Sequence, residues 1–315
     1  MRIVFLGTGD IGLPTLEALL ADPAHEVLAC VTQPDKPVGR SQELQAPAVK
    51  RLALARGVPV FQPAKVRDPE MVAQLRALEA DVLVVIAYGQ ILPRSVLDLP
   101  KVACLNLHAS LLPRHRGAAP IHAAIEAGDV ETGMTVMYMA EGLDTGDILL
   151  SKTIAIGAEE ITGELHDRLA ELAPVALAEA LGLLAEGCAP RTPQDDARAT
   201  YAAKLSRENG GIAWGSDAAA IVRKIRAMNP WPAAHTSLPV GDGVRKMKVF
   251  RAREVATESG VAGSVLGAGR EGILVAAGVG AVRLEEVQLE GKKRMAASDF
   301  VLGHPVPVGT LLGGL

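Results

Sequence analysis

The chemistry-bearing residues of this 315-residue sequence gather in Leu105-Asn106-Leu107-His108-Ala109-Ser110-Leu111-Leu112-Pro113, followed by Arg114-His115-Arg116-Gly117. With VACLNLH (102–108) as a strand, alternation puts Asn106 and His108 on one face, near the carboxyl end. An amide that donates hydrogen bonds then stands beside an imidazole that donates them and moves protons. Ligands of open parallel sheets bind at that edge. Two polar side chains on one face of a central strand are costly unless something uses them, and on this ground alone a satisfied core pair and a functional pair both stay open.

The elements that must position this pair follow from a strand and helix rhythm. RIVFLG, HEVLACVT, GVPVF and VLVVIA (82–87) read as strands, with helices expected near Ile11–Leu20, Ala46–Arg56 and Pro69–Leu78. Near-continuous apolar runs such as VLVVIA belong to strands buried on both faces. The expected class is α/β, a doubly wound, mainly parallel Rossmann-like sheet. Two further β-rich runs, GMTVMYMA and DILLSKTIAI, flank the turn EGLDTG, and a long helix follows near 162–186. The expected catalytic domain spans 1–187, and the polar, Pro-containing stretch 188–205 reads as a linker. Residues 206–315 carry short Gly-punctuated strands, RKMKVFRAREV, GSVLGA, GILVAAG and AVRLEEVQL, which suggest a small β-barrel of the OB kind.

Gly7, Gly9 and Gly12 in GTGDIG match the dinucleotide fingerprint between a first strand and a first helix. The acidic residue expected at the end of the second strand is missing, because Asp35 lies beyond Pro34 in a loop. A tight turn needs glycine whatever it binds, so the expectation is a structural turn and no NAD. Cys30, Cys104 and Cys188 form no CxxC pair and are expected to be reduced core thiols. His115, His122, His166 and His304 join no metal-ligand pattern, and no metal is expected. The apolar opening breaks at Gly7, too soon for a signal peptide or a membrane span, so a cytoplasmic protein without a membrane partner is expected. A monomer is the expected state.

The net charge of −4 hides an asymmetry. Residues 204–315 hold 15 basic and 10 acidic side chains, a net of +5, against 17 and 26 in residues 1–203, a net of −9. A basic back half suits phosphate contact, although a solvated basic face explains the count equally well.

The run NLHASLLPRHRGAAPIHAAIEAGD, with ETGMTVMYMAEGLDTGDIL downstream, resembles the formyltransferases that use 10-formyltetrahydrofolate, whose signature joins an Asn-x-His strand to an SLLPxxRG loop and a later Asp. The resemblance implies a catalytic trio of Asn106, His108 and Asp144: the first two donate to the oxyanion of the transferring formyl group, while Asp144 orients the histidine and favours its charged form. It implies folate contacts by Ser110, Leu111, Leu112 and Pro113, by Ile86, Tyr88, Gly89, Gln90, Ile91 and Leu92, and by Met139, Ala140, Glu141, Gly142 and Leu143. For Arg116 it implies a structural or substrate-positioning role. The family spans several amine acceptors, glycinamide ribonucleotide and sugar amines among them. The insertion TQPDKPVGRSQELQAPAVK, its basic tip Arg40 within 33–45, and the segments KLSRENGGIAW, IRAMNPWPAAHT and LEGKKRMAASDFVLGH resemble the subgroup acting on methionyl initiator tRNA. Lys246, Lys248, Arg251, Arg253, Lys292, Lys293 and Arg294 are then the expected phosphate contacts, with Lys246 and Lys248 on one strand face and the basic cluster carried by the Gly291 turn.

Overall fold

The computed structural model describes residues 1–38, 42–241, 243–255 and 260–313. The chain forms two compact units, one from Met1–Pro120, Glu131–Ala155 and His166–Ala202, the other from Ile121–Val130, Ile156–Leu165 and Ala203 onward.

The first unit is built on a seven-stranded sheet of β1 (Arg2–Gly7), β2 (Glu26–Val31), β3 (Val60–Phe61), β4 (Val82–Ile86), β5 (Ala103–His108), β6 (Glu131–Tyr138) and β7 (Ile148–Ala155). The order is β7-β6-β5-β4-β1-β2-β3. The pairs β3–β2, β2–β1, β1–β4 and β4–β5 are parallel; β5–β6 and β6–β7 are antiparallel. The order in which strands are added reverses between β1 and β4, which makes the sheet doubly wound. Every residue of β4 and β5 is buried, as strands covered on both faces must be. The helix Thr162–Ala185 buries Leu165, Leu169, Ala173, Ala176, Leu177, Ala180 and Leu181, a stripe repeating at three and four residues.

The glycine turn after β1 packs against the end of β4. A Cβ at Gly12 would lie 2.9 Å from Ile86 Cγ2, and Gly9 donates its backbone N–H to the Ala87 carbonyl at 3.3 Å. Thr8 Oγ1 donates to the Tyr88 carbonyl at 3.0 Å. Two donors of the turn thus reach the segment that follows β4, and Thr8 Oγ1 also accepts from Gln33 N at 3.1 Å. Asp35 is also engaged: the Gln62 amide and Lys50 Nζ hydrogen-bond its carboxylate and hold it below the ordinary carboxylate range.

The second unit curls an antiparallel sheet of β8 (Ala234–Val240), β9 (Gly243–Val255), β10 (Val265–Gly269), β11 (Gly272–Ala276) and β12 (Ala281–Leu289), in the order β8-β9-β12-β11-β10, with β13 (Met295–Ala296) beside β12. Residues 310–313 run between the two edges. Thr310 O accepts from Val265 N at 2.9 Å, Leu312 N donates to Gly263 O at 2.8 Å, and Gly313 N donates to Ser237 O at 3.2 Å. The helix Ala218–Ala227, capped by Asp217 accepting from Ala220 N at 2.6 Å, buries Ile221 and Ile225.

Three sequence-based expectations change. The stretch 188–205 is not a free linker, since the first unit continues to Ala202. Pieces 121–130 and 156–165 of the expected catalytic domain cluster with the second unit, where Thr162 Oγ1 donates to Ala227 O at 2.7 Å and Lys224 pairs with Glu126 at 2.8 Å. Cys30 and Cys104 are buried free thiols pushed up to about 12 by burial, whereas Cys188 is exposed rather than in a core.

Candidate active site

Strand β5 sets the site. Asn106 lies in register between Val85 of β4 and Met137 of β6, so it occupies the middle of the sheet, and His108 follows two residues on. Asn106 is 9% and His108 6% exposed. The Asn106 side chain makes no hydrogen bond to another described residue, and its amide keeps some access to solvent. His108 Nε2 lies 2.9 Å from the His115 carbonyl, which can only accept, so this nitrogen carries a proton. That leaves Nδ1, which faces Asp144 Oδ2 at 3.7 Å.

Asp144 must be brought back to reach it. The last residue of β6, Tyr138, pairs with Leu105, so the following loop returns roughly 10 Å along β5 to His108. Asp144 sits in the left-handed region at φ 52°, and a Cβ at Gly146 would collide with the Tyr138 carbonyl. The carboxylate is fixed by the Gly117 N–H, which donates to Oδ2 at 2.7 Å. Gly117 itself has φ 114°, and a Cβ there would stand 2.5 Å from the Ala202 carbonyl. Gly117→Ala therefore combines an unfavourable φ with a backbone collision and is expected to cost about 2–4 kcal/mol of stability. Urea unfolding checks this; an unshifted midpoint would show that the strand pair 116–117 with 201–202 yields without cost.

The expected folate residues divide by what they already do. Ser110 is buried and donates its hydroxyl to Arg114 O at 2.7 Å, while its carbonyl accepts from Thr135 Oγ1 at 2.6 Å. Leu112 is buried, and Leu111 and Pro113 are half-buried. Ile86, Tyr88 and Leu92 are buried, and burial pushes the Tyr88 hydroxyl up to about 12. Gln90 staples the 63–66 loop, accepting from Val66 N at 2.8 Å and donating to Pro63 O at 3.1 Å. Gly89 takes φ 84°. Met139 is half-buried, whereas Ala140, Glu141, Gly142, Leu143 and Ile91 are exposed. The side chains left for a ligand in these segments are thus chiefly the exposed apolar ones, Ile91 and Leu143.

Arg40 lies outside the described residues. The other basic candidates fall into two groups. Arg251 and Arg253 both pair with Glu285, at 3.5 and 3.2 Å, and Arg294 pairs with Glu286 while lying over the Phe250 ring. Lys246, Lys248, Lys292 and Lys293 form no salt bridge within 4 Å among the described residues, and Lys246 lies near enough to Glu208 to help hold that carboxyl below its ordinary range. Among the remaining histidines, His115 is buried beneath the site, His122 donates to Trp231 O at 3.2 Å, His166 stands 3.0 Å from Asp167, and His304 stacks on Phe300.

Beyond the trio, the site is supported by Arg116, for which the resemblance implies a structural or positioning role, and by Gln194, Asp196 and Thr200, which the sequence did not point to. Arg116 is 2% exposed, and its guanidinium donates to Gln194 Oε1 at 2.8 and 3.0 Å and to Asp196 Oδ1 at 2.7 Å. Thr200 Oγ1 accepts from His115 N at 2.8 Å, steadying the residue whose carbonyl anchors His108. The only sequence signal was an arginine in the motif that needed partners.

Residues 1–181 match the family model described as Formyl transferase, and residues 204–305 match that described as Formyl transferase, C-terminal domain. A methionyl-tRNA formyltransferase of Geotalea daltonii is 50% identical over 99% of this chain and 98% of its own. The chain belongs to the methionyl-tRNA formyltransferase family. That relative spans the length of both units, and Asn106, His108 and Asp144 lie inside the part matched by the N-terminal family model. Among solved structures, that of a methionyl-tRNA formyltransferase from Clostridium thermocellum is similar with a TM-score of 0.54 at 16% identity, covering 82% of this chain and 95% of that one. The sugar 3N-formyl transferase WlaRD, solved in the presence of 5-N-formyl-THF, has a TM-score of 0.64 at 15% identity, covering 93% and 99%. At such identities these likenesses concern the fold.

Proposed function

We propose that this chain transfers the formyl group of 10-formyltetrahydrofolate to the α-amino group of methionine on initiator tRNA, the step that prepares that tRNA for translation initiation. The observation that carries the reading is the meeting of Asn106, His108 and Asp144 at the carboxyl end of β5, in a chain half identical to a methionyl-tRNA formyltransferase over nearly its whole length. Free thiols and these substrates both suit the cytoplasm.

The chemistry is an acyl transfer. The amine nitrogen attacks the formyl carbon, the carbonyl becomes an oxyanion, and the bond from that carbon to the folate nitrogen breaks as a proton moves from the attacking to the leaving nitrogen. The unpartnered Asn106 amide supplies a fixed donor for the oxyanion. His108 contributes through Nδ1 alone, because Nε2 is held by His115 O. Neutral, Nδ1 accepts the amine proton; charged, it is steadied by Asp144 across 3.7 Å and donates to the oxyanion or to the leaving nitrogen. The exposed Ile91 and Leu143 offer apolar surface to the pterin, and the 86–92, 110–113 and 139–143 segments offer backbone groups to its edges. Lys246, Lys248, Lys292 and Lys293 form the phosphate-contacting face for the tRNA. Arg40 remains a proposed contact with the acceptor stem.

Incubation with methionyl initiator tRNA and labelled 10-formyltetrahydrofolate is expected to yield formylmethionyl-tRNA. Label appearing only on glycinamide ribonucleotide or a sugar amine would move the chain to another acceptor within the same chemistry.

A further inference from the structure

We propose that Gln194 is a positioning residue for the catalytic carboxylate, holding the Asp144 backbone where its side chain faces His108; this rests on the acyl-transfer reading of the site. Its amide is saturated. Nε2 donates to the carbonyls of Asp144 and Gly146 at 2.8 and 2.7 Å, and Oε1 accepts from Arg116 Nε and Nη2 at 3.0 and 2.8 Å. No other side chain both donates twice and accepts twice at this length. The carbonyls it grips flank the turn in which Asp144 adopts φ 52°, a conformation that persists only where surrounding contacts over-determine it.

The grip is itself fixed. Arg116 is buried, and its position is set by Gln194, by the Tyr201 side chain and by Asp196, which binds it at 2.7 Å from an 82% exposed site. Residue 117, next along the chain, gives the N–H that holds Asp144 Oδ2 at 2.7 Å. One network therefore secures Asp144 at both ends: Gln194 on its carbonyl and the Arg116–Gly117 strand on its carboxylate. The strand pairing of Tyr201–Ala202 with Arg116–Gly117 and the bridge between Thr192 and Ile148 tie the segment carrying Gln194 to the same place. Release of Gln194 frees the loop to carry Asp144 away from Nδ1, and about 1 Å of misplacement at a reacting centre can cost ~10²-fold in rate.

Gln194→Glu separates this role from simple support. The carboxylate still accepts from Arg116, but it cannot donate to the two carbonyls and repels them. In the full-length enzyme with both substrates, kcat is expected to fall ~10- to 100-fold, with KM for folate and for tRNA within about threefold. In an Asp144→Asn background the same substitution should cost less than about twofold, because Gln194 acts through that carboxylate. Asp196→Asn, at the exposed end of the network, is the second variant and decides the matter alone if Gln194→Glu does not fold; it is expected to lower kcat about two- to fivefold with both KM values unchanged. A loss in KM rather than in kcat, or an undiminished cost of Gln194→Glu in the Asp144→Asn background, overturns the assignment, as does a wild-type kcat in Asp196→Asn where that variant stands alone. Absence of turnover in the wild-type protein would instead refute the reading of the site, which keeps the two failures apart.

Discussion

Replacing His108, Asn106 or Asp144 by alanine is expected to lower kcat by ~10² to 10³, since a preorganised donor at a developing oxyanion contributes ~3–4 kcal/mol and each ~1.4 kcal/mol is tenfold in rate. The three losses should not multiply. Asp144 reaches the reaction only through Nδ1 of His108, at 3.7 Å, because the other ring nitrogen is committed to the His115 carbonyl. With His108→Ala in place, removing Asp144 leaves little more to lose. Asn106 lies two residues away on the same strand and donates to the same charge, so its pairing with His108→Ala should also fall short of the product of the singles. Steady-state kinetics on the singles and doubles, with circular dichroism to verify the fold, decide this. His108→Ala also strands the His115 carbonyl, so a stability loss of about 1–3 kcal/mol is expected beside the catalytic one. Near-wild-type turnover in any single variant removes that residue from the mechanism, and fully multiplicative doubles mean that the groups act on separate steps.

What the sequence made legible was what depends on local pattern. AVRLEEVQL was read as a strand over the residues that form β12, and the apolar runs at 82–87 and 102–108 became β4 and β5. Asn106 and His108 were legible as a pair because strand alternation needs only their spacing. Asp144 was found only by resemblance, since no periodicity tells that a loop after β6 returns along β5. Gln194 was missed for the same reason: its partner Arg116 is 78 residues earlier, and a polar Pro-containing stretch such as 188–205 looks alike whether it dangles or stitches. The sorting of basic residues was equally hidden. Arg251 and Arg253 meet Glu285 through a β9–β12 register shifted on either side of Arg251, which composition cannot reveal.

That sorting yields the largest expected effect on binding. In β9 the buried Met247 and Val249 alternate with Lys246 and Lys248, which pair in register with Ser237 and His235 and so share the outward face. The turn that carries Lys292 and Lys293 is brought beside them, because Glu290 N donates to Lys246 O at 2.9 Å and Lys292 N closes onto Leu289 O at 2.9 Å. Four lysines that form no salt bridge among the described residues thus stand close together, Lys246 with Glu208 near it, while Arg251, Arg253 and Arg294 are already paired with Glu159, Glu285 and Glu286. Each phosphate contact releases counterions and contributes ~0.7–0.9 to the slope of log affinity against log salt. The quadruple variant Lys246→Gln, Lys248→Gln, Lys292→Gln, Lys293→Gln is therefore expected to flatten that slope by about 3 and, at ~1 kcal/mol per contact, to weaken tRNA binding by ~10³. Folate affinity should stay unchanged. Arg251→Gln with Arg253→Gln removes as much charge per residue, yet it should cost under about threefold, since it also frees Glu159 and Glu285 from pairs of modest strength. Charge substitution is the better probe than truncation near residue 205, which would strip 121–130 and 156–165 of partners such as Ala227 and Lys224. Binding of methionyl initiator tRNA at several salt concentrations reads both quantities. An unchanged slope in the quadruple variant would mean that the lysine face is only solvated surface, and a steep loss in the arginine variant would mean that the paired guanidiniums exchange their carboxylates for phosphate.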